Sequence, residues 1–327
     1  MLPSAVAAAG DQTESPYSQV VEQWRGEGLQ EPEGVLQVID PTAFSETGTV
    51  RAGDSFGYGA EVVRMEKGDS VTLTVSVEKT GLYGIQVDYY CLAEKAVSHT
   101  VGLKINGEYP FSEARELVLS QLYGTEEWPF RKDSKGNEIT PDTLLRHEWQ
   151  SRRLKSVRQG EQDALLFFLK KGENEIQLTM EKASILLGKV SVLSLPETVD
   201  YNTYKSAYPD TESAKALVVL EAERIWRKNT TSTRPVATRD VEVSPYTPSK
   251  KLMSVVGGAT WNQNGQTLYY EFSIDTPGWY SIALKYKQNE KANSVVRRTM
   301  TLDGQLPFAQ ARGVAFESSY SWIVRDF

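Results

Sequence analysis

A chain of 327 residues that is 40% hydrophobic and 24% charged has a globular composition, with room for two domains that each bury a core. Its net charge of −7, with the signs interspersed, argues against a nucleic-acid surface, and no apolar run is long enough for a membrane-spanning helix. Cys91 is the only cysteine, which excludes a disulfide framework and a thiolate metal cluster and leaves a small buried hydrophobe as its simplest role.

In chain order, MLPSAVAAAG is apolar with small residues spaced as A-x-A and turns polar at Gly10-Asp11-Gln12. That pattern resembles the end of an export signal without its basic start, with a short apolar tail as the other reading, and an extracellular or surface location is expected from the first. Tyr17, Val20, Val21 and Trp24 have helical spacing and Gly26 and Gly28 end it, which predicts a short amphipathic helix or linker within residues 1–30. Strand-like alternation follows at Val71, Leu73, Val75 and Val77, then at Tyr83, Ile85, Val87 and Tyr89, and again at Val101, Leu103 and Ile105. Asn106-Gly107 ends the last run with the strongest two-residue hairpin signal. Residues 131–162 are charged and turn-rich and read as a long loop. Leu165–Leu169 and Ile176–Met180 flank a predicted hairpin at Lys171-Gly172-Glu173-Asn174, and Ile185–Leu193 supplies a closing strand.

The segment Gly68–Arg115 recurs 197 residues later as Gly265–Arg312. Gly81, Tyr83, Ile85, Tyr89, Gly107, Pro110, Phe111 and Arg115 stand again as Gly278, Tyr280, Ile282, Tyr286, Gly304, Pro307, Phe308 and Arg312. A repeat of this size is a domain rather than a solenoid unit. The four tyrosines fall on strand alternation and are expected in the cores. The reading is therefore all-β, with tandem antiparallel sandwiches. The first covers 31–196, a linker covers 197–217, and the second covers 218–327, opening with the strand ALVVLEAERI. The second copy stops at Phe327, level with Phe130, so its sandwich is expected to be incomplete at the C-terminal side.

The motif Gly68-Asp69-Ser70-Val71, with Gly81-Leu82-Tyr83 and Ile105-Asn106-Gly107, resembles the galactose-binding-like (jelly-roll) sandwiches of carbohydrate-binding families 6 and 35. The segments INGEYPFSEAR, DSKGNEITP (133–141) and EWQSRRL (148–154) are similar to the N-terminal modules of family 1 extracellular solute-binding proteins of bacterial sugar ABC transporters. The resemblance covers residues 35–194 and 218–327. It implies a secreted, non-catalytic carbohydrate-binding region whose partners are an oligo- or polysaccharide and, through a further domain, a transporter permease. It also implies that Glu221 and Glu223, in the E-A-E motif, help hold a structural calcium. Two alternate glutamates are only part of the oxygen set that calcium needs.

Sugar rings are met by aromatic faces with polar neighbours. Loop candidates are Tyr58, Tyr123, Trp128 and Trp149 in the first copy and Trp261, Tyr320 and Trp322 in the second. Trp149 stands beside Arg146 and Arg152, and Trp128 near Arg131, Asp133, Asn137 and Glu138. The expected ligand residues are Tyr58, Trp128, Asn137, Trp149, Arg152, Trp261 and Trp322. Each also has an ordinary packing role open to it. Catalysis has little support: His99 and His147 stand in unrelated contexts, and Glu126-Glu127 reads as solvated surface. An ancillary module of a glycoside hydrolase or lyase, or a structural surface spacer, remains the alternative.

Overall fold

The computed structural model describes residues 14–47, 50–51, 55–125, 128–155, 164–194, 198–289 and 293–327. The signal-like residues 1–10, Glu126-Glu127 and residues 156–162 lie outside the described residues. None of the described helices is long and apolar enough to cross a membrane.

Among the described residues there are two α-helices, α1 (Tyr17–Gly26) and α2 (Tyr201–Ser206). The strands in the first part of the chain are β1 (Leu36–Ile39), β2 (Ser45–Thr47), β3 (Val50–Arg51), β4 (Val63–Met65), β5 (Ser70–Val77), β6 (Gly81–Cys91), β7 (His99–Ile105) and β8 (Leu117–Leu119). Next come β9 (Leu122–Thr125), β10 (Thr143–Arg146), β11 (Gln150–Arg153), β12 (Leu166–Leu169), β13 (Gly172–Lys182) and β14 (Ile185–Leu193). The remainder are β15 (Arg227–Lys228), β16 (Pro235–Ala237), β17 (Met253–Val256), β18 (Leu268–Tyr269), β19 (Ala283–Gln288), β20 (Val296–Arg298), β21 (Val314–Phe316) and β22 (Ser319–Asp326). Contacts divide the chain into two units, Met1–Leu122 with Leu145–Leu195, and Tyr123–Leu144 with Pro196–Phe327.

The first unit is an antiparallel β-sandwich. One sheet runs β11-β6-β14-β4-β3, with β1 also on β14 and β12 also on β6; the other runs β2-β5-β13-β7-β8. The alternation read from the sequence sets the inward faces. Val71, Leu73, Val75 and Val77 of β5 and Tyr83, Ile85, Val87 and Tyr89 of β6 are all buried in one core with Phe111, Phe167, Ile176 and Leu178. Each such side chain contributes about 1.5–3 kcal/mol by leaving water. Tyr280 and Tyr286, expected to be core as well, are only half-buried.

The hairpin expected at residues 171–174 is instead a crossing between sheets. β12 pairs with β6, whereas β13 pairs with β5 and β7. The buried Asn174 fixes this corner: its Oδ1 accepts from the Lys170 N–H (3.1 Å) and its Nδ2 donates to the Lys170 carbonyl (2.7 Å). The charged stretch 131–162 carries β10 and β11, and its first half groups with the second unit, where β9 and β10 join β15 and β18 in one sheet.

Helix α1 packs on the first core through Tyr17, Val20 and Trp24. The Tyr17 ring meets Phe111 edge-on (4.9 Å, 70°), and the Tyr17 N–H donates to Glu113 Oε2 at 2.8 Å. Residues 197–217, expected as a linker, hold the same device. The Tyr201 ring meets Phe308 edge-on (5.0 Å, 68°), and the Tyr201 N–H donates to Gln310 Oε1 at 2.9 Å. Beyond each helix the chain crosses a glycine. A Cβ on Gly81 would lie 2.7 Å from the Gln30 carbonyl oxygen, and one on Gly278 would lie 2.9 Å from that of Glu212. The repeat therefore begins with a helix in both units. Both two-residue turns are present too, with positive φ at Asn106 (51°) and Gly107 (87°) and at Asp303 (49°) and Gly304 (76°).

The second unit consists of the four-stranded sheet β10-β9-β15-β18 and three two-stranded ladders, β16-β17, β19-β22 and β20-β21. The strand expected at ALVVLEAERI does not form: residues 214–220 join no ladder, and a turn follows at Ala222-Glu223. In the first unit the matching strand β1 lies against β14. No described residue of the second unit takes that position, so local β propensity goes unrewarded.

Candidate functional site

The outer face of β6 alternates against its core face. With Tyr89 turned inward, Tyr90 and Asp88 are left on the outside, where Tyr90 packs with Val62 and Leu186. Onto this face comes the loop Ser55-Phe56-Gly57-Tyr58-Gly59. Tyr58 lies over β14 at Gly188, where a Cβ would be 2.6 Å from the tyrosine Cζ. The β14–β6 register shifts between Leu187 and Val190, so Gly188 and Lys189 form a bulge. There the Tyr58 hydroxyl donates to Asp88 Oδ2 (2.6 Å) and accepts from the Lys189 N–H (3.0 Å). Burial first, and then the bond to Asp88, raise the phenol's pKa far above its usual value. This tyrosine is a neutral, fixed surface.

Trp149 is set against it, with ring centroids 4.1 Å apart and its Nε1 donating to the Ser55 carbonyl at 2.9 Å. Tyr90 lies 5.7 Å from Trp149 and stacks on Phe56 at 5.0 Å. Phe56 is 49% exposed and has φ 48°, a left-handed backbone that costs a bulky residue on the order of 1–3 kcal/mol. His147 borders the patch 6.0 Å from Tyr90, with Nδ1 3.0 Å from the Cys91 carbonyl oxygen. The cysteine is buried, which pushes its thiol up to about 12. The result is a cluster of aromatic rings in which Phe56 is exposed, Tyr58 and Trp149 are half-buried and Tyr90 is buried, with fixed polar groups at its edge. Asp88, at its edge, is engaged by Tyr58.

Of the residues predicted from sequence, this face unites Tyr58 and Trp149. Arg152 is on the opposite side of β11: its strand partner is the core-facing Val87, and its Nε donates to Gln150 Oε1 at 3.4 Å. Trp128 and Asn137 belong to the second unit. The Arg224 guanidinium lies 5.2 Å from the Trp128 ring centre. Asn137 closes a turn, with its Nδ2 donating to Asp133 Oδ2 (2.9 Å) and its Oδ1 accepting from the Lys251 N–H (2.9 Å), so its amide is spent on structure. Trp261 is covered by Arg298 at 4.4 Å, and Trp322 donates to Asp240 Oδ2 at 2.9 Å. Neither joins a shared aromatic surface with Trp128 among the described contacts. Tyr123 is buried and Tyr320 is exposed. Phe56, Tyr90, Asp88 and Gly188 were missed. The available signal was an aromatic pair interleaved with Gly57 and Gly59, and the rule that an inward Tyr89 puts Tyr90 outside.

Glu221 and Glu223, expected to help hold a calcium, stand at a turn rather than on a strand. Glu223 is buried, and its Oε1 has no hydrogen-bond partner among the described residues. Burial, reinforced by the nearby Glu221 and Glu138 charges, pushes its carboxyl up to about 7. Glu138 spends Oε2 on the Met253 N–H at 2.7 Å. Among the described residues no three Asp, Glu, His or Cys side chains converge, whereas calcium takes about six to eight oxygens.

No family model matches the chain, and no curated protein does. Among solved structures it is similar to a family 35 carbohydrate-binding module from Clostridium thermocellum, at 12% identity over 50% of this chain and 100% of that one, with a TM-score of 0.31. It is similar to the Podospora anserina GH26-CBM35 β-(1,4)-mannanase at 14% identity, over 54% of this chain and 36% of that one, with a TM-score of 0.30. A third is the CBM36-1 domain of a multidomain xylanase from the Trinervitermes trinervoides hindgut metagenome, at 12% identity over 50% and 100%, with a TM-score of 0.29.

Proposed function

We propose that the first unit is a non-catalytic carbohydrate-binding module that holds a saccharide against the Phe56–Tyr90–Trp149–Tyr58 face. The observation that carries this reading is the half-exposed Phe56, kept on a strained backbone and stacked on a cluster of rings. Exposed aromatic faces fit the apolar C–H face of a pyranose, and His147 and the peptide groups of the 55–59 loop stand at the edge to meet hydroxyls. At the finer level, the chain is a surface-exposed part of a sugar-capturing protein of the solute-binding type, exported from the cell. The sequence resemblance of residues 105–115, 133–141 and 148–154 and the signal-like residues 1–10 support that level.

Affinity electrophoresis in gels containing soluble polysaccharides tests the reading. The chain should be retarded by at least one polysaccharide, and Phe56→Ala should remove the retardation while the chain stays folded at the gel temperature. Retardation that survives Phe56→Ala and Trp149→Ala together sinks this site.

A further inference from the structure

In the first unit, the sheet opposite the aromatic face holds on its outer side a cavity of about 430 Å³, lined by Lys67, Thr100, Arg115, Glu116, Glu181 and Lys182. That volume is in the range of small-ligand sites. Alternation along β7 turns Val101 and Leu103 into the core and leaves Thr100 and Gly102 on the outer side. A Cβ on Gly102 would lie 3.0 Å from Glu181 Oε1 and 3.3 Å from the Tyr109 hydroxyl, so the missing side chain is what lets those groups reach the sheet. The β13–β7 register shifts between Met180 and Lys182, which makes Glu181 the extra residue of a bulge and sets Lys182 opposite Thr100. Glu116 stands one position before Leu117, the partner of Val101, and so at the level of Gly102. Lys67 comes from the β4–β5 turn, where the Gly68 N–H donates to the Met180 carbonyl at 2.7 Å. Arg115 is a wall rather than a free cation: its guanidinium lies 4.3 Å from the Tyr109 ring centre, and its Nε donates to Glu14 Oε2 at 2.8 Å.

Two observations point to a ligand. Thr100 is 2% exposed, yet its hydroxyl has no hydrogen-bond partner among the described residues, and a buried hydroxyl left unpaired is costly. Lys67, Lys182, Glu116 and Glu181 line one cavity with both signs present, and none of them makes an ion pair among the described residues. The signs are also ordered along the strand. The Glu181 carboxylate and Glu116 stand at Gly102, whereas Lys182 and Lys67 stand at the Thr100 end, about 7 Å away by strand rise.

We propose that this cavity binds a small zwitterion of the amino-acid or short-peptide kind. Its ammonium group lies at Glu181 and Glu116, and its carboxylate lies at Lys182 and Lys67 and accepts from the Thr100 hydroxyl. A lone anion would face two unanswered glutamates, and a lone cation two unanswered lysines. A ligand with both charges meets each set with charge-assisted hydrogen bonds. A neutral sugar is a poorer fit, because the Tyr109 ring beside the cavity already carries Arg115 and, at 5.1 Å, the Lys104 ammonium. The aromatic face is on the other sheet, so this site stands apart from the saccharide reading.

The test titrates the full chain in a calorimeter with L-alanyl-L-alanine, N-acetyl-L-alanine, L-alaninamide and glucose. The dipeptide should bind, and the two compounds that keep a single charge should bind at least tenfold more weakly. Thr100→Val and Lys182→Gln should each weaken dipeptide binding at least fivefold, and Lys182→Gln should also narrow the gap between the dipeptide and L-alaninamide, which a merely structural role would not do. Phe56→Ala should leave dipeptide binding unchanged. No dipeptide binding at millimolar concentration overturns the proposal. So does equal binding of the half-charged compounds, tighter binding of glucose, or dipeptide binding that neither Thr100→Val nor Lys182→Gln moves.

Discussion

Phe56 separates packing from function at the level of single residues. Half of its surface is exposed, so Phe56→Ala should cost about 1–2 kcal/mol of unfolding free energy, less than the about 3–5 kcal/mol of truncating a core ring. If the ring is a sugar platform, saccharide affinity should fall at least tenfold in calorimetry. Gly188→Ala is the complementary change. Its methyl would occupy the Tyr58 ring position, cost about 1–3 kcal/mol in denaturant melts, and release the bonds to Asp88 and Lys189. Adding Tyr58→Ala should recover part of that loss, and strict additivity would show that the ring does not rest there. His99 is a different case. It is buried with neither ring nitrogen hydrogen-bonded in good geometry, although the Val97 and Ser184 backbone lies near. Burial lowers its pKa below the usual value, so the unfolded chain takes up the proton first. Stability should then fall as pH drops below about 6.5. His99→Val, which copies Val296 of the second repeat, should flatten urea midpoints between pH 5 and pH 7.5. An unchanged slope would assign the pH dependence to other groups.

Helices α1 and α2 show how an element can be invisible to a gapless repeat. Their side chains differ, and the spacing from helix to strand differs between the copies. Yet Tyr17 and Tyr201 meet Phe111 and Phe308 in nearly the same geometry. Tyr17→Ala should cost the first unit about 2–4 kcal/mol, since it removes a ring contact and the hydroxyl that accepts from the Leu166 N–H at 3.0 Å. A loss below about 0.5 kcal/mol in a urea titration would return α1 to the status of a tether. Strand existence was legible throughout β5, β6, β7, β13 and β14 because alternation reports a half-buried strand. Strand pairing was not: Lys170 to Asn174 read as a hairpin, and only the buried Asn174 corner sends β12 and β13 to different sheets.

At the scale of the whole molecule, the two units differ in how much apolar surface they cover. The first has one continuous core, whereas the second leaves Phe272, Ile274, Ile282 and Leu302 exposed. Calorimetry should show two transitions rather than one. The lower should coincide with loss of amide protection in 198–327, and its denaturant slope should be smaller because less surface is exposed on unfolding. A single transition for the full chain would contradict this division. For the proposed site, the sequence pointed to Tyr58 and Trp149 but grouped them with Arg152, Trp128 and Asn137, which the fold disperses.

The sequence by itself determined the all-β class, the doubling of the repeat, the inward faces of the long strands and the two positive-φ turns. Each is a local property, set by side-chain period or by what a glycine or asparagine backbone tolerates. The tertiary structure alone decided which strand lies beside which, that residues 123–144 join the second unit, and that Trp149 and Arg152 face opposite ways. It also decided that a bulge at Gly188 makes room for the Tyr58 ring. These depend on partners far away in the chain, and a period of two tells a strand which side is inward without telling it its neighbour.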